Sequence, residues 1–420
     1  MDKQKAAINL PALALWALGA LFFFSEYFLR VSPSVMLPEL SQQLGVTAAG
    51  IGMFSALFYY PYILMQIPVG GIADRFDVQK VMALAMILTG IACILFAESS
   101  SLSIALISRF IMGVCAAFAF VGTLRLATHY FTPGVLAVLI GVTQAMGMLG
   151  AAVGQGPLRY YIDQAGMRFS MLSFSFLFFL LGGAIILLRL LLKDKIICNH
   201  SFSYKKPDKT DQQKTLLAIM PQLFSHNKLL WMNCLFIGFL YGPTVVFAEM
   251  WGVDFTQGFH GLSHTVAAFS VSLIFIGMII GCSLFGFLSA RLNLIYLMRF
   301  SAVSSLLLMV VILYFPYLSE GMLALIFLLY GICNAGIIPA YMRTTKLVSH
   351  EKSGVALGVT NMFSILIGSL MIQFVGLMIR KFNVASTMEN SALTHTYQYT
   401  FSLLILCFAF AVFIAFKAKD

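Results

Sequence analysis

Long apolar runs that leave little room for charge constrain this chain more than any other feature. Such runs recur along its 420 residues, which are 60% hydrophobic and only 10% charged. A soluble protein keeps about a quarter of its residues charged, and about 20 apolar residues cross the hydrocarbon core as a helix. The runs are continuous rather than alternating, so spanning helices fit and a transmembrane β-barrel does not. The pattern predicts twelve helices. The first six cover about 11–37, 48–72, 80–98, 103–130, 134–157 and 169–191, and the second six about 229–252, 264–289, 294–316, 321–345, 354–379 and 396–416.

An even number of spans puts both termini and the Lys-rich stretch "KDKIICNHSFSYKKPDKTDQQK" on one side. That side collects 20 of the 26 Lys and Arg residues, whereas the opposite loops hold only Arg159, Arg168, Arg380 and Lys381. The positive-inside rule then places both termini in the cytoplasm. The net charge of +10 is accounted for by these loops and argues for a bilayer partner, not for nucleic acid. The seven cysteines form no Cys-x-x-Cys pair, and most read as small apolar fillers of the spans. Lys3 and Lys5 precede a run too long for a signal peptide, so the first helix is expected to be retained.

The polar stretch 193–228 divides the chain into 1–192 and 229–420, two parts of equal length. The parts also resemble each other. "GGIADRFDVQK" at 70–80 corresponds to "GFLSARLNLIY" at 286–296, which aligns Gly70 with Gly286 and Arg75 with Arg291. "IGVTQ" at 140–144 corresponds to "LGVTN" at 357–361, aligning Gln144 with Asn361, and Arg125 falls on Arg343. Three matches in the same order at nearly constant offset indicate a duplicated six-helix unit. In secondary transporters built this way, the solute site lies near the bilayer midplane between the repeats.

The same residues carry a family resemblance. "GGIADRF" resembles the loop pattern G-x-x-x-D-R-x-G of the Major Facilitator Superfamily, with Asp77 in place of the final glycine. "RFIMGVCAA" at 109–117 is similar to that family's fourth-helix pattern R-x-x-x-G. Gly141, Gly150 and Gly154 keep the spacing of its fifth-helix glycine motif, with Gln155 where proline is usual. The resemblance implies an all-α membrane protein of two pseudo-symmetric six-helix bundles, multi-pass in a bacterial inner membrane and working as a monomer by alternating access. It also implies a gating role for Gly70, Asp74 and Arg75, with Asp74 facing the start of the eleventh helix near Ser353–Gly354. The glycines of helix 5 (Gly141, Gly147, Gly150, Gly154, Gly156) are expected to permit close packing.

The informative departures from apolarity lie inside the spans. "FFFSEYFLRVSPSVML" at 22–37 holds Glu26 and Arg30. A charge at mid-bilayer costs about 2.5–3.5 kcal/mol even on the lenient insertion scale, so both must face a polar cavity or each other. At i and i+4 they share one helix face. They are either a self-neutralising structural pair or part of a site. Helix 7, the repeat equivalent of helix 1, carries Glu249 in "GFLYGPTVVFAEMWG". One cation facing two carboxylates leaves an acid that is protonated or waits for a cationic group. Tyr27, Tyr59, Tyr62, Gln66, Gln144, Tyr241, Asn334 and Asn361 complete a candidate lining; Tyr59, Tyr62 and Gln66 share one face of helix 2, and Tyr60 points elsewhere. Arg109 reads as a partner of carbonyls or of another span more than as a solute contact.

The stretch "EYFLRVSPSVMLP" resembles the first helix of the organophosphate:phosphate antiporter group, whose helix 7 has an Arg where this one has Glu249. "LRVSPSVM" and "IPVGGIADRF" look more like a group that includes phagosomal nutrient transporters. The resulting expectation is proton-coupled uptake of an amino acid or similar zwitterion. Arg30 would hold the carboxylate. Glu249 would take the ammonium or titrate, and Glu26 would restrain Arg30 or carry the proton. The alternatives are an organic-anion, phosphorylated-metabolite or siderophore carrier, with an exporter or antiporter among its forms, and a transporter-like sensor. No enzyme, nucleotide or cofactor site is read. His260 and His264 have a spacing that can bind zinc, but Gly261 interrupts the helix and no third ligand is near.

Overall fold

The computed structural model describes residues 10–45, 48–131, 133–192, 227–315, 318–348, 353–385 and 390–418, all of them helix or short connections. The expected central stretch, apart from Asn227 and Lys228, lies outside these residues, as do Lys3 and Lys5. The first group of helices runs α1 (Leu10–Val31), α2 (Leu37–Leu44), α3 (Ala48–Arg75), α4 (Val78–Ala97), α5 (Leu102–Tyr130), α6 (Pro133–Val153), α7 (Gly156–Ala165) and α8 (Met167–Leu192). The second runs α9 (Lys228–Val246), α10 (Gly252–His260), α11 (His264–Ser289), α12 (Leu294–Tyr314), α13 (Glu320–Asn334), α14 (Ile337–Lys346), α15 (Ser353–Ala385) and α16 (Asn390–Lys417). Ten of the resulting spans, or eleven with the bent pair α6–α7, are long and apolar enough to cross a membrane among the described residues. The predicted second span is filled by α3, a 28-residue helix with Pro61 and Pro68 inside it.

Four spans are not the single straight helices that hydropathy suggests, and each break has a local cause. A 3₁₀ turn at Ser32–Val35 follows α1 where Pro33 lacks an N–H, and proline cannot continue the i→i−4 ladder. α6 and α7 bend by 44° at Gly154–Gln155, with Pro in the first turn of α7. The helix therefore continues to Ala165, and Arg159 lies on it instead of in a loop. α9 passes into a π-helical turn at Phe247–Trp251, just beyond Pro243. α13 and α14 part at Ala335–Gly336, before Pro339. Side-chain caps mark other starts: Ser101, Ser263 and Ser319 each accept the amide hydrogen three residues on, satisfying an orphan donor.

The helices of each group pack mainly on one another, α4 with α8 and α3 with α5 in the first, α9 with α15 and α11 with α13 in the second. The groups meet along two seams, α3 against α15 and α6–α7 against α11. Among the described residues, hydrogen bonds between the groups start from Ser55, Tyr59, Tyr60, Gln155, Gly156 and Asp163. All lie from the middle of their spans toward the end opposite the termini. That end is closed.

Two sequence features find their physical reason here. Asp77, at the position where the loop motif has glycine, caps α4 by accepting from the Gln79 amide at 3.0 Å. Its other oxygen pairs with Arg189 at 2.8 Å. The backbone of Gly70, Asp74 and Arg75 belongs to α3, but their side chains, like those of Ser353 and Gly354, lie outside the described residues.

The helix-5 glycines seat α6 on α1. A Cβ at Gly150 would stand 2.0 Å from the Phe24 carbonyl oxygen, and one at Gly147 2.6 Å from the Phe23 ring. Gly141 meets nothing within 4 Å. Gly150→Ala must therefore push α1 aside, at a cost of about 1–3 kcal/mol. It is expected to lower the thermal midpoint of the detergent-purified protein, while Gly141→Ala leaves it within error.

Candidate functional site

α1 ends one residue beyond Arg30, and Glu249 lies within the π turn that follows α9. This leaves Arg30 and Glu249 at the seam between the helix groups. Arg30 is 1% exposed, Glu26 2% and Glu249 1%. Such burial is tolerated only with hydrogen-bonded compensation. Arg30 donates from Nε and Nη2 to one oxygen of Glu26, at 3.0 and 2.5 Å. Both bonds go to Oε1, so the pair uses only part of each group. Glu26 Oε2 and Arg30 Nη1 are buried and make no hydrogen bond.

Three tyrosines enclose the guanidinium. Its central carbon lies 4.1 Å from the Tyr27 ring centre, 4.6 Å from Tyr62 and 5.9 Å from Tyr59. Desolvated cation–π contacts of this kind are worth about 2 kcal/mol. Tyr59 also reaches across the seam, where its hydroxyl donates to Glu249 Oε2 at 2.5 Å. Tyr241, eight residues earlier on α9, donates to Oε1 at 3.0 Å. Both oxygens of Glu249 are thus held by phenols, one from each group of helices.

Arg109 supports this arrangement from α5. Its Nη1 donates to the Leu29 carbonyl at 2.8 Å, and its guanidinium lies 4.5 Å from the Phe58 ring centre. It grips the backbone of α1 beside Arg30, in keeping with the carbonyl-partner role. It also changes the count of charges. Two buried guanidiniums stand with two buried carboxylates, where the argument from helices 1 and 7 alone has one cation to two acids.

The remaining candidates divide. Asn361 accepts from the Tyr341 hydroxyl at 2.8 Å, within the second group. Asn334 accepts from Thr244 at 2.9 Å and donates to the Leu240 carbonyl at 3.1 Å, also within that group. Gln144 is half-buried on α6. Gln66, one turn beyond Tyr62, has an amide nitrogen without a partner. None of these is hydrogen-bonded to Arg30, Glu26 or Glu249. Tyr60 turns away from the cluster and bonds Gln373 at 2.7 Å. Sequence reasoning missed the part played by Gln155, which is fully buried and links both chain breaks. It accepts from Ser34 Oγ at 3.0 Å and donates to the Ala248 carbonyl at 2.7 Å. Its one signal was a glutamine at a position where the motif has proline.

The fold agrees with what comparison finds. The Major Facilitator Superfamily profile matches residues 15–372. The chain belongs to that superfamily. A bacterial homolog to the human lysosomal transporter Spinster, in an inward-facing and unoccupied conformation, superposes with a TM-score of 0.74. It is 16% identical, over 99% of this chain and 98% of that one. The "Probable sulfoacetate transporter SauU" of Cupriavidus necator is 30% identical over 148 residues, 35% of this chain and 34% of its own length. The "Probable hexose phosphate transport protein" of Chlamydia trachomatis is 27% identical over 154 residues, 37% of this chain and 33% of its own length. The chain thus matches about a third of the length of these curated relatives. It has the multi-pass helical membrane fold of that superfamily.

In this cluster, removing a phenol leaves a buried carboxylate oxygen without its donor, which costs about 1–3 kcal/mol. Tyr59→Phe is expected to destabilise the protein by that amount. In a Glu249→Gln background the loss should shrink, giving a coupling of about 0.5–3 kcal/mol in a double-mutant cycle of thermal midpoints.

Proposed function

We propose that the protein takes up a small organic anion together with a proton, with Arg30 as the anion anchor. The observation that carries this reading is the half-used guanidinium. Arg30 is buried among Tyr27, Tyr59 and Tyr62, gives two donors to one oxygen of Glu26, and keeps Nη1 unengaged. A carboxylate, sulfonate or phosphate oxygen placed at Nη1 completes a charge-assisted contact of the strong kind. Tyrosine rings around it suit a solute with a short apolar body. Relatives named for sulfoacetate and hexose phosphate support an anionic solute.

Charge balance then ties the anion to a proton. The empty cluster is neutral when Glu26, Arg30, Glu249 and Arg109 are all ionised. An added anion leaves it negative in a low-dielectric interior, which strongly disfavours the charged carboxylates. Protonation of Glu26 restores neutrality and frees Arg30 from its intramolecular partner. Glu249, held by a phenol from each half, is the second acceptor. Protonation there weakens the Tyr59 bond across the seam, so proton binding and opening of the seam are linked. With the termini in the cytoplasm, the closed end faces outward, and the arrangement is one stage of alternating access by bundles 1–192 and 229–420. Gly70, Asp74 and Arg75 are proposed to form the gate at the opposite, cytoplasmic end.

A second reading rests on Glu249 itself. A carboxylate across the seam from Arg30 suits the ammonium of an amino acid whose carboxylate is on Arg30. The two phenols would first have to leave Glu249, so the anion reading is preferred.

Proteoliposomes given a labelled panel of short carboxylates, sulfonates, sugar phosphates and amino acids, with and without an alkaline interior, distinguish the two. The expected outcome is gradient-driven accumulation of an anion. Arg30→Gln should reduce it at least a hundredfold, and Glu26→Gln should keep downhill exchange while losing accumulation. Accumulation of amino acids alone would establish the second reading. Normal accumulation by both variants would remove Arg30 and Glu26 from the site.

A further inference from the structure

The two chain breaks that present Arg30 and Glu249 are joined by a single side chain, and it belongs to neither broken helix. Gln155 sits at the α6–α7 bend, fully buried. Its carbonyl oxygen accepts from Ser34 in the 3₁₀ turn after α1, at 3.0 Å. Its amide nitrogen donates to the Ala248 carbonyl in the π turn after α9, at 2.7 Å. The next residue adds a third link, from the Gly156 amide to Ser272 Oγ on α11, at 3.0 Å.

The π turn explains why the Ala248 carbonyl is available. In an α-helix it would accept from the Gly252 amide. Here Gly252 donates one residue further back, to Phe247. The carbonyl loses its α-helical donor at a fully buried position, where an unmet acceptor is costly. Gln155 supplies the donor from the other helix group. The extra residue in the turn, the released carbonyl and the glutamine form one device. Ala248 is bonded to Glu249, so the amide that holds its carbonyl also fixes where that carboxylate enters the seam.

We propose that Gln155 is a positioning residue that stabilises the π turn carrying Glu249 and pins the end opposite the termini closed. Opening that end requires the Gln155–Ala248 bond to break. The π turn then has no donor from the first group and is free to relax toward an α-helix, rotating Glu249 away from Tyr59. Proline at this position, the residue the motif would have, has no group able to make this bridge. The pin is therefore specific to chains with an amide here. The proposal about the closed end is independent of the solute; only its transport consequence rests on Glu249 belonging to the transport site.

Distances between spin labels at Gln164→Cys and Gln257→Cys, one exposed position in each group at the closed end, test it in a background with the native cysteines replaced. Gln155→Met keeps the volume and removes both bonds, and should raise the open-to-closed ratio about fivefold to tenfold at every pH, as loss of about one hydrogen bond predicts. Gln155→Glu is the sharper variant. Ionised, it cannot donate to Ala248, and the end should open; protonated, it offers one O–H and one carbonyl, and closure should return on acidification. The titratable and charged groups nearby are Arg159 with Glu39 and Asp163, His264 at the start of α11 beside them, and Glu249, Glu26 and Arg30 at the cluster. All are present in the parent protein, whose own response to acid is the control. Distances in Gln155→Met and in ionised Gln155→Glu that match the parent would overturn the proposal, as would an open state of Gln155→Glu that acid does not reverse. Closed-end opening with unaltered solute uptake would keep the pin and detach Glu249 from transport.

Discussion

A guanidinium buried within a membrane span is the constraint that the rest of this structure answers. Left alone, Arg30 would be among the most unfavourable groups a bilayer helix can hold. Glu26, one turn earlier, neutralises it, three tyrosines cover its faces, and Arg109 holds the backbone beside it. None of these partners is lipid. The charge therefore obliges α1 to lie at the seam, against α5 and opposite the π turn. The same helix is fixed from its other side by the glycine-lined face of α6.

The seam combines close packing of α3 against α15 and of α6–α7 against α11 with a few directional polar contacts. Tyr59 to Glu249 at the centre and Gln155 to Ala248 beyond it are single hydrogen bonds across an apolar core that both groups share. Under the proposed alternating access, these hydrogen bonds are the contacts that have to break. Interior packing is close and bistable rather than deformable, so the proposed motion is one of whole bundles, in which the side chains with hydrogen bonds to exchange change partners.

Much of this could be read from the residues. Hydropathy and the basic loops gave the span order, and the internal match of Gly70 with Gly286 pointed to duplication. The i, i+4 spacing of Glu26 and Arg30 anticipated their pairing, and the i, i+3 spacing of Tyr59 and Tyr62 put both rings beside Arg30. Gln144 and Asn361, aligned by the repeat, are not joined to the cluster, because an amide shared by two repeats needs only equivalent surroundings in each half. Asn361 finds them in Tyr341. The helix breaks were less legible. Proline marks some of them, but a π turn has no composition of its own and depends on what receives its displaced carbonyl.

The sequence by itself determined a helical membrane protein of two related halves with an acid and a base on one face of its first span. These follow from local quantities: apolar run length, loop charge and residue spacing along one helix. Only the tertiary structure decided that Glu249 would be met by phenols from both halves, that Arg109 would grip a carbonyl instead of an acid, and that Gln155 would tie the two broken spans together. Each of those joins residues from different helices, and the distance between such residues is set by how whole bundles pack, which no single segment encodes.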